Sequence, residues 1–480
     1  MSGSPTPGGA PTPGELMVDA LLDGNELAAL LARRGRVLVV GYGVTNRCVA
    51  RFLTARGHTV TVVDDAPGPD AAADAAAVGA RFLPACAPDR LGDEVAAADL
   101  VVPTPGLPER HPVFGAARAA GRPLVSELDL AAAVDDRPVL AVTGTNAKTT
   151  LVELAAAALT AAGRRVRTAG NTSVPLVAAV TDAEPELFVV EASSFRLART
   201  CLFSPRVAVW SNFAPDHLDV HLDLAGYRAA KSRIWRHLPD DGVAVAAATD
   251  PVVTSALPAD RRVLTYRADG TRADFHREGD RLVGPDGPWA HTGELWRSVP
   301  HDVENVLGVA AAVSALGAPL GAVARAARDF PGLPHRLQRV ATVGAVTFHD
   351  DSKSTTPHAT LAAVRAVEGA VLVAGGRNKG LDLGALAPVA DHVTAVVAMG
   401  EAADELVGVL ADRVPVVVAR DMDEAVATAH ELARDAGVDV VLSPGCASFD
   451  AYRDYAARGD DFIRAVHELA ARHTPREVGP

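Results

Sequence analysis

Short apolar runs alternate with longer segments of helical periodicity along most of this chain. The first run spans residues 36–40, and a glycine turn at 41–45 and a helical segment at 46–55 follow it. A second run at 58–63 ends on Asp64 and Asp65, and another starts at Asp99 and continues into a loop containing Pro105 and Gly106. This order of strand, glycine turn, helix and strand predicts a Rossmann-like unit with a ligand at the carboxyl ends of its strands.

The middle of the chain continues the pattern. Apolar runs at 139–142, 186–190 and 207–212 predict strands, and the Ala- and Leu-rich segment 151–159 predicts a helix. Glu191 directly follows the second of these strands, so the sequence predicts a carboxylate at the edge of a parallel sheet. His217 follows the third strand, where a phosphate- or metal-binding histidine and an ordinary exposed loop histidine are equally consistent with the pattern.

Prolines and a glycine at 331–336 predict a hinge before a third region. Strands are expected near 345–349, 370–374, 394–398, 414–419 and 439–442, which predicts a second Rossmann-like sheet. Polar clusters at 349–355, 375–380 and 443–448 fall at strand ends, on one sheet edge. The predicted organisation is a disordered lead over 1–20 and three α/β domains over 21–135, 136–333 and 334–480.

Composition narrows the function classes. A length of 480 residues suggests about three domains, and a formal net charge of −13 argues against nucleic acid as the main partner. No apolar run approaches the ~20 residues that a membrane span needs. Residues 1–14 are uncharged and rich in Pro, Gly, Ser and Thr, which is unlike a signal peptide. The four widely separated cysteines fit a reducing cytoplasm better than disulfides or a zinc site.

The segment GTNAKTT, residues 144–150, lies where a predicted strand meets a predicted helix. Gly144 allows the chain to bend, the first N–H groups of the helix point outward, and Lys148 adds a positive charge. Thr149 can offer its hydroxyl to a magnesium ion carried by the phosphates. The segment therefore predicts a phosphate loop, and the alternative is an ordinary turn with a helix cap.

Two patterns are less specific. The Gly41-Tyr-Gly43 turn with Asp64 fits a dinucleotide site, but the complete G-x-G-x-x-G is missing and a tight turn fits equally well. Lys231 lies in a helical segment, and its local composition is that of a surface lysine.

Taken together, Lys148, Glu191, the pair Asp216 and His217, and the segment YRAAK that ends at Lys231 resemble the Mur ligase family in order and spacing. The resemblance extends from about residue 36 to 472. Only an alanine, at position 147, departs from the family's compact GTNGKTT loop.

The resemblance implies a set of site residues. It implies two Mg²⁺ ions near Thr149, Glu191, His217 and a carbamylated Lys231, and it makes Lys148, Glu191, His217 and Lys231 the catalytic set. It implies ATP contacts at Gly144, Thr145, Asn146, Ala147, Lys148, Thr149, Thr150, Asn305, Arg336 and Asp351. It implies contacts with a UDP-sugar at Gly43, Val44, Thr45, Asp64, Pro105, Gly106 and Asn171. It implies contacts with D-glutamate at Lys353, Thr355, Lys379, Ser448 and Tyr455.

The segment 448–462 resembles the C-terminal signature of the D-glutamate-adding members of the family. The activity that this implies is the ATP-dependent addition of D-glutamate to UDP-N-acetylmuramoyl-L-alanine through an acyl phosphate. ADP and phosphate would be released, and the reaction would serve peptidoglycan precursor synthesis by a cytoplasmic monomer.

Four alternatives remain open. A family member could add another amino acid, including L-glutamate. A folylpolyglutamate synthase lacks a UDP-binding domain, so residues 36–130 count against it. An NAD-dependent dehydrogenase would use Gly41, Gly43 and Asp64, but it leaves the phosphate loop, Glu191 and His217 unexplained. A non-catalytic sugar-nucleotide sensor would bind without releasing phosphate.

Overall fold

The computed structural model describes residues 24–84 and 86–473, and the predicted lead over 1–20 lies outside them. The described residues form two compact units. The first comprises the chain up to Phe213, His217–Ser298 and Asp302–Phe330. The second comprises Ala214–Asp216, Val299–His301 and the chain from Pro331 onward.

A four-stranded parallel sheet opens the first unit, as the sequence predicts. Its strands are β1 (Arg36–Val40), β2 (Thr59–Asp64), β3 (Arg81–Pro84) and β4 (Leu100–Pro103), in the order β3-β2-β1-β4. The helices are α1 (Gly24–Ala32), α2 (Val44–Ala55), α3 (Ala71–Ala77), α4 (Pro88–Ala97), α5 (Pro112–Ala119) and α6 (Glu127–Ala132). The short strands have both faces buried by helices, which explains their nearly continuous apolar sequences.

A nine-stranded sheet forms the rest of the first unit. Its strands are β5 (Val139–Thr143), β6 (Val166–Gly170), β7 (Leu187–Glu191), β8 (Val207–Trp210), β9 (Val243–Ala247), β10 (Arg262–Arg267), β11 (Phe275–Glu278), β12 (Arg281–Gly284) and β13 (Gly287–His291). Its order is β13-β12-β11-β10-β9-β8-β5-β7-β6. The helices are α7 (Lys148–Ala161), α8 (Leu176–Ala179), α9 (Ser194–Leu197), α10 (Leu224–Ser232), α11 (Pro251–Thr254), α12 (Pro300–Ala315) and α13 (Leu320–Asp329), with 3₁₀ turns at Arg233–Trp235 and Thr292–Glu294.

The central sheet is parallel from β6 to β11, as expected, but β12 and β13 pair antiparallel at one edge. Two-residue turns join β11 to β12 and β12 to β13, and such short connections can link only antiparallel strands. The expectation of a purely parallel sheet therefore needs this correction. Strands β10–β13 were not predicted, because they carry many charged and polar residues.

The second unit contains a six-stranded sheet. Its strands are β14 (Gln338–Val343), β15 (Val346–Asp350), β16 (Gly369–Gly375), β17 (Val393–Met399), β18 (Val416–Val418) and β19 (Val440–Gly445). The order is β14-β15-β19-β16-β17-β18, and only the β14–β15 pair is antiparallel. The helices are α14 (Pro357–Ala366), α15 (Ala403–Leu410), α16 (Met422–Ala436) and α17 (Tyr455–His473), with a 3₁₀ segment at Leu383–Asp391.

Apolar clusters lie on both faces of this last sheet, which matches the predicted Rossmann-like layering. Strands β15, β16 and β19 are parallel neighbours, so the three predicted polar clusters lie at one edge of the sheet. Within the described ranges, no helix is long and apolar enough to cross a membrane.

Candidate active site

The predicted phosphate loop connects β5 to α7 through residues 144–147. A β-carbon on Gly144 would lie 2.0 Å from the Ser211 hydroxyl oxygen, so only glycine fits at this position. Ala147 precedes the first residue of α7 with φ +67°, in the left-handed region where alanine is disfavoured relative to glycine. The alanine is therefore accommodated in a conformation that suits a glycine.

The loop is held by the strand and helix beside it. The backbone N–H groups of Thr145 and Asn146 donate to the carbonyl and side-chain oxygens of Asn212, at 3.1 Å and 2.8 Å. The hydroxyls of Thr145 and Tyr227 lie 3.1 Å apart. The segment just after β8 and the first half of α10 therefore both hold this loop.

Two lysines contact the same loop. Lys148 Nζ donates to the carbonyl oxygens of Gly144 and Thr145, both at 2.9 Å. Lys231 Nζ donates to Gly144 at 2.6 Å and lies 4.6 Å from the centroid of the Tyr227 ring. Only 1% of Lys231 is exposed, so the surface position that its composition suggests is wrong. This face of α10 packs on the phosphate loop instead.

Glu191 ends β7 next to Val142 of β5 and is 3% exposed. One carboxylate oxygen accepts a hydrogen bond from the Asn171 side chain at 2.9 Å. The other is buried and has no hydrogen-bond partner among the residues that the structure describes. A buried anionic oxygen left in this state is a suitable ligand for a hard cation such as Mg²⁺.

His217 lies beside the same strand ends. Its ring centroid is 4.6 Å from that of Phe195 and 6.0 Å from that of Tyr227. The backbone at His217 has φ +58°, which turns the chain sharply after β8. His217 therefore lies between the segment that follows Glu191 and the helix that carries Lys231.

The predicted metal ligands gather near the carboxyl ends of β5, β7 and β8, but they do not form a complete protein cage. In residues 24–84 and 86–473, no group of three or more His, Cys, Asp or Glu side chains could hold a metal ion. Magnesium usually binds through one or two carboxylates together with substrate phosphates. The residues present fit that mode, and the number of ions stays a prediction.

The two glycines of the turn after β1 differ in how strictly their positions require glycine. A β-carbon on Gly41 would meet the Thr104 side chain at 2.6 Å, whereas one on Gly43 would meet nothing within 4 Å. Val44 is 65% exposed beside this open space. Both carboxylate oxygens of Asp64 accept backbone N–H groups, from Tyr42 at 2.6 Å and from Ala66 at 2.9 Å. In this structure Asp64 stabilises the turn, and its predicted sugar-nucleotide contact stays a prediction.

The loop that carries Pro105 and Gly106 is fixed by Glu109. The Glu109 carboxylate lies 3.0 Å from His221 Nδ1, and His221 Nε2 lies 3.0 Å from the Ser194 hydroxyl. Burial alone would raise the pKa of Glu109, but hydrogen bonds from His221 and Leu222 and the charge of Arg199 hold it below its usual value. No local sequence pattern indicates this series of hydrogen bonds, because Glu109, Ser194 and His221 come from three separate segments.

The predicted nucleotide contacts divide between the units. Asn305 is buried on α12 in the first unit, whereas Arg336 and Asp351 belong to the second. The Asp351 carboxylate accepts from the Leu337 N–H at 3.2 Å and from the Ser443 hydroxyl at 2.9 Å. Burial raises the pKa of Asp351 to about 6, and the charge of Arg336 only partly opposes this effect.

The predicted D-glutamate residues occupy the polar edge of the second unit. Lys353 Nζ lies 5.4 Å from the centroid of the Tyr455 ring. Lys379 Nζ lies 3.2 Å from an Asp216 carboxylate oxygen, and Ser448 is buried. Thr355 follows β15 in the same edge cluster. The edge thus carries lysines and hydroxyl side chains, a set suited to an amino-acid dicarboxylate.

Three segments of the chain match families of protein domains. Residues 35–126 match the Mur ligase MurD-like N-terminal domain, residues 142–312 the Mur ligase middle domain, and residues 335–446 the Mur ligase glutamate ligase domain.

Two relatives that match this chain over nearly their whole length carry the same name. UDP-N-acetylmuramoylalanine–D-glutamate ligase of Frankia casuarinae is 41% identical over 447 residues, covering 90% of this chain and 93% of the relative. The enzyme of the same name from Desulfosudis oleivorans is 38% identical, covering 90% and 96%.

Solved structures share the fold. MurF from Acinetobacter baumannii has a TM-score of 0.59 at 16% identity, covering 89% of this chain and 93% of that one. A pseudomurein peptide ligase type C from Methanothermus fervidus has a TM-score of 0.58 at 15% identity, covering 91% and 100%. At such low identity the similarity establishes the architecture only.

Proposed function

This chain belongs to the Mur ligase family, and we infer that it joins D-glutamate to the alanine carboxylate of UDP-N-acetylmuramoyl-L-alanine, with conversion of ATP to ADP and phosphate. The reaction is a step of peptidoglycan precursor synthesis. The use of ATP follows from the family. The roles of individual residues below are proposals.

The first step makes the carboxylate reactive. A carboxylate oxygen of the bound alanine attacks the γ-phosphorus of ATP, the bond to the β-phosphate oxygen breaks, and an acyl phosphate and ADP form. Two anions must approach each other, so charge stabilisation at the phosphates supplies most of the rate enhancement. The N–H groups at the start of α7 and the Lys148 ammonium are the groups that would provide it, because the N–H groups of Thr145 and Asn146 already donate to Asn212.

Magnesium would be held by Glu191, Thr149 and His217, and it would neutralise charge on the transferred phosphate. The buried Glu191 oxygen without a hydrogen-bond partner supports this assignment. Lys231 would enter the site as a carbamate, formed when its neutral amine adds to CO2 and loses a proton. This conversion would replace a buried cation with a carboxylate that can bind a second ion.

The second step forms the amide bond. The D-glutamate amine attacks the acyl carbon, the tetrahedral intermediate loses inorganic phosphate, and the amine gives up its proton. Lys353, Thr355, Lys379, Ser448 and Tyr455 would bind the amino acid. Arg336, Asp351 and Asn305 would contact the nucleotide, and Gly43, Val44, Thr45, Asp64, Pro105, Gly106 and Asn171 the sugar nucleotide.

The observation that carries this proposal is the contact of both lysines with the phosphate loop beside a buried, partly unsatisfied Glu191. A dehydrogenase or a passive sensor has no need for such a combination.

The test is mass spectrometry of the product formed from UDP-N-acetylmuramoyl-L-alanine, ATP and Mg²⁺ with D- or L-glutamate. Product and phosphate are expected with D-glutamate, and Lys148→Ala is expected to abolish both. Equal product from L-glutamate, or undiminished ligation by Lys148→Ala, would overturn the proposal.

A further inference from the structure

A buried arginine connects two predicted substrate sites of the first unit. Arg196 lies on α9, five residues after Glu191, and is 5% exposed. Three nitrogens of its guanidinium group donate hydrogen bonds, each at 2.9 Å. The acceptors are Glu127 Oε1, Asn171 Oδ1 and Thr45 Oγ1. Arg196 was not among the residues that the sequence singled out.

The direction of these bonds fixes the orientation of Asn171. A guanidinium group has donors only, so the amide oxygen of Asn171 must face Arg196. The amide nitrogen then faces Glu191 and donates to Oε1 at 2.9 Å. With Oε1 occupied, Oε2 is the oxygen left for a cation. Arg196 thus determines, through Asn171, which carboxylate oxygen of Glu191 is available.

Glu127 holds the guanidinium in place. Its Oε1 accepts from Arg196, and its Oε2 accepts from the Val177 N–H at 3.0 Å. The ion pair is nearly inaccessible, with side-chain exposures of 5% for Arg196 and 1% for Glu127. Paired groups at this depth are rigid, because separating them would leave an uncompensated buried charge.

The third bond reaches the glycine turn of the N-terminal sheet. Thr45 is the second residue of α2, directly after Gly43 and the exposed Val44. A ligand at this turn that moves Thr45 therefore changes the geometry of a guanidinium whose other bonds orient Asn171 and Glu191. The path from Thr45 Oγ1 to Glu191 Oε1 consists of three hydrogen bonds through two side chains, those of Arg196 and Asn171.

We propose that Arg196 is a positioning residue that couples sugar-nucleotide binding at Thr45 to divalent-cation binding at Glu191. The proposal rests on the function proposed above, which supplies the two ligands. Each ligand must then change the affinity for the other by the same factor, because coupling between equilibria is reciprocal. Outer partners of a metal ligand commonly change metal affinity by about 10- to 100-fold, so a measurable effect is expected.

The experiment measures the binding of Mn²⁺, used in place of Mg²⁺, to the protein in the presence of ADP. Electron paramagnetic resonance detects the Mn²⁺ that remains free. The titration is run on the full chain with and without UDP-N-acetylmuramoyl-L-alanine. For the unaltered protein, the sugar nucleotide is expected to lower the Mn²⁺ dissociation constant about tenfold. For Arg196→Met, the two dissociation constants are expected to agree within about twofold.

Arg196→Lys keeps a positive charge beside Glu127 but cannot make three bonds in one plane. It keeps the proposal testable if the methionine variant does not fold, and it is also expected to lose the coupling. Arg137→Met is the matched control. Arg137 lies just before β5, at the end of that strand opposite the phosphate loop. It donates hydrogen bonds to Asp135 and to several carbonyl oxygens. Its loss is therefore expected to leave the coupling intact.

Coupling retained by a folded Arg196→Met or Arg196→Lys protein would overturn the proposal, as would its absence from the unaltered protein. A purely structural role for Arg196 predicts a lower unfolding temperature with unchanged coupling. Failure of the proposed function is a separate result, because it would appear as no product from the sugar nucleotide and D-glutamate.

Discussion

The Lys231 ammonium donates a 2.6 Å hydrogen bond to the carbonyl oxygen of Gly144, although 87 positions separate the two residues. The contact brings α10 against the phosphate loop and buries a lysine that stands in a polar stretch of sequence. It places the side chain of Lys231 where a change of its charge would act directly on the predicted phosphate loop.

Lys231→Ala is therefore expected to lower ligation at least 100-fold, a loss of about 3 kcal/mol of transition-state stabilisation. If the residue acts as a carbamate, removal of CO2 should slow the unaltered enzyme, and acetate should partly restore the alanine variant. Steady-state phosphate release under controlled bicarbonate measures both effects. Arg228→Ala, an exposed change on the same helix, is the control and should respond to neither treatment. Full activity of Lys231→Ala would show that ligation needs no carbamate at this position.

Ala147 offers a test of the loop conformation. A β-branched residue is strongly disfavoured at φ +67°, so Ala147→Val should raise the KM for ATP at least tenfold. Ala147→Gly should keep activity and change the free energy of unfolding by no more than about 1 kcal/mol, because relief of strain opposes the extra flexibility of the unfolded chain. Ala161→Val, at the exposed last residue of α7, is the control. An unchanged KM for Ala147→Val would show that the left-handed conformation is not needed for nucleotide binding.

Asp351 makes the stability of the second unit depend on pH. Its pKa is about 6 when folded against an ordinary value of 3.8, so the folded state holds the proton more tightly than the unfolded chain. The associated stability is complete below pH 3.8 and is lost as pH rises through about 6. Relative to Asp351→Asn, the unaltered protein should therefore lose about 2 kcal/mol of its free energy of unfolding between pH 4 and 7, at about 1.4 kcal/mol per pKa unit.

Urea unfolding followed by far-UV circular dichroism measures this difference at several pH values. Asp391→Asn removes an exposed carboxylate from the same unit and serves as the control. A stability difference between the unaltered protein and Asp351→Asn that is constant from pH 4 to 7 would contradict the assignment.

The sequence predicts those parts of the fold that have a local signature. The strand over 36–40 and the junction between β5 and α7 were predictable because apolar runs, a glycine and a lysine stand next to each other in the chain. The strand at Phe275–Glu278 was not, because it is only four residues long and three of them are polar, with Phe275 as its single apolar residue.

The site divides in the same way. Lys148 and Glu191 could be predicted as site residues because each follows a predicted strand. Lys231 could be predicted as a site residue only from the resemblance to the family. Arg196, Glu127 and the His221 chain have no local pattern, since their roles depend on contacts between segments that lie far apart in sequence. Long-range hydrogen bonds of buried polar groups are the part of the site that only a structure reveals.

The central claim is that this phosphate loop activates a carboxylate by transferring phosphate to it. The direct test uses UDP-N-acetylmuramoyl-L-alanine with ¹⁸O in both oxygens of the alanine carboxylate, incubated with ATP, Mg²⁺ and D-glutamate. One ¹⁸O should appear in each inorganic phosphate released and the other should remain in the new amide. Unlabelled phosphate accompanying labelled peptide product would contradict the account.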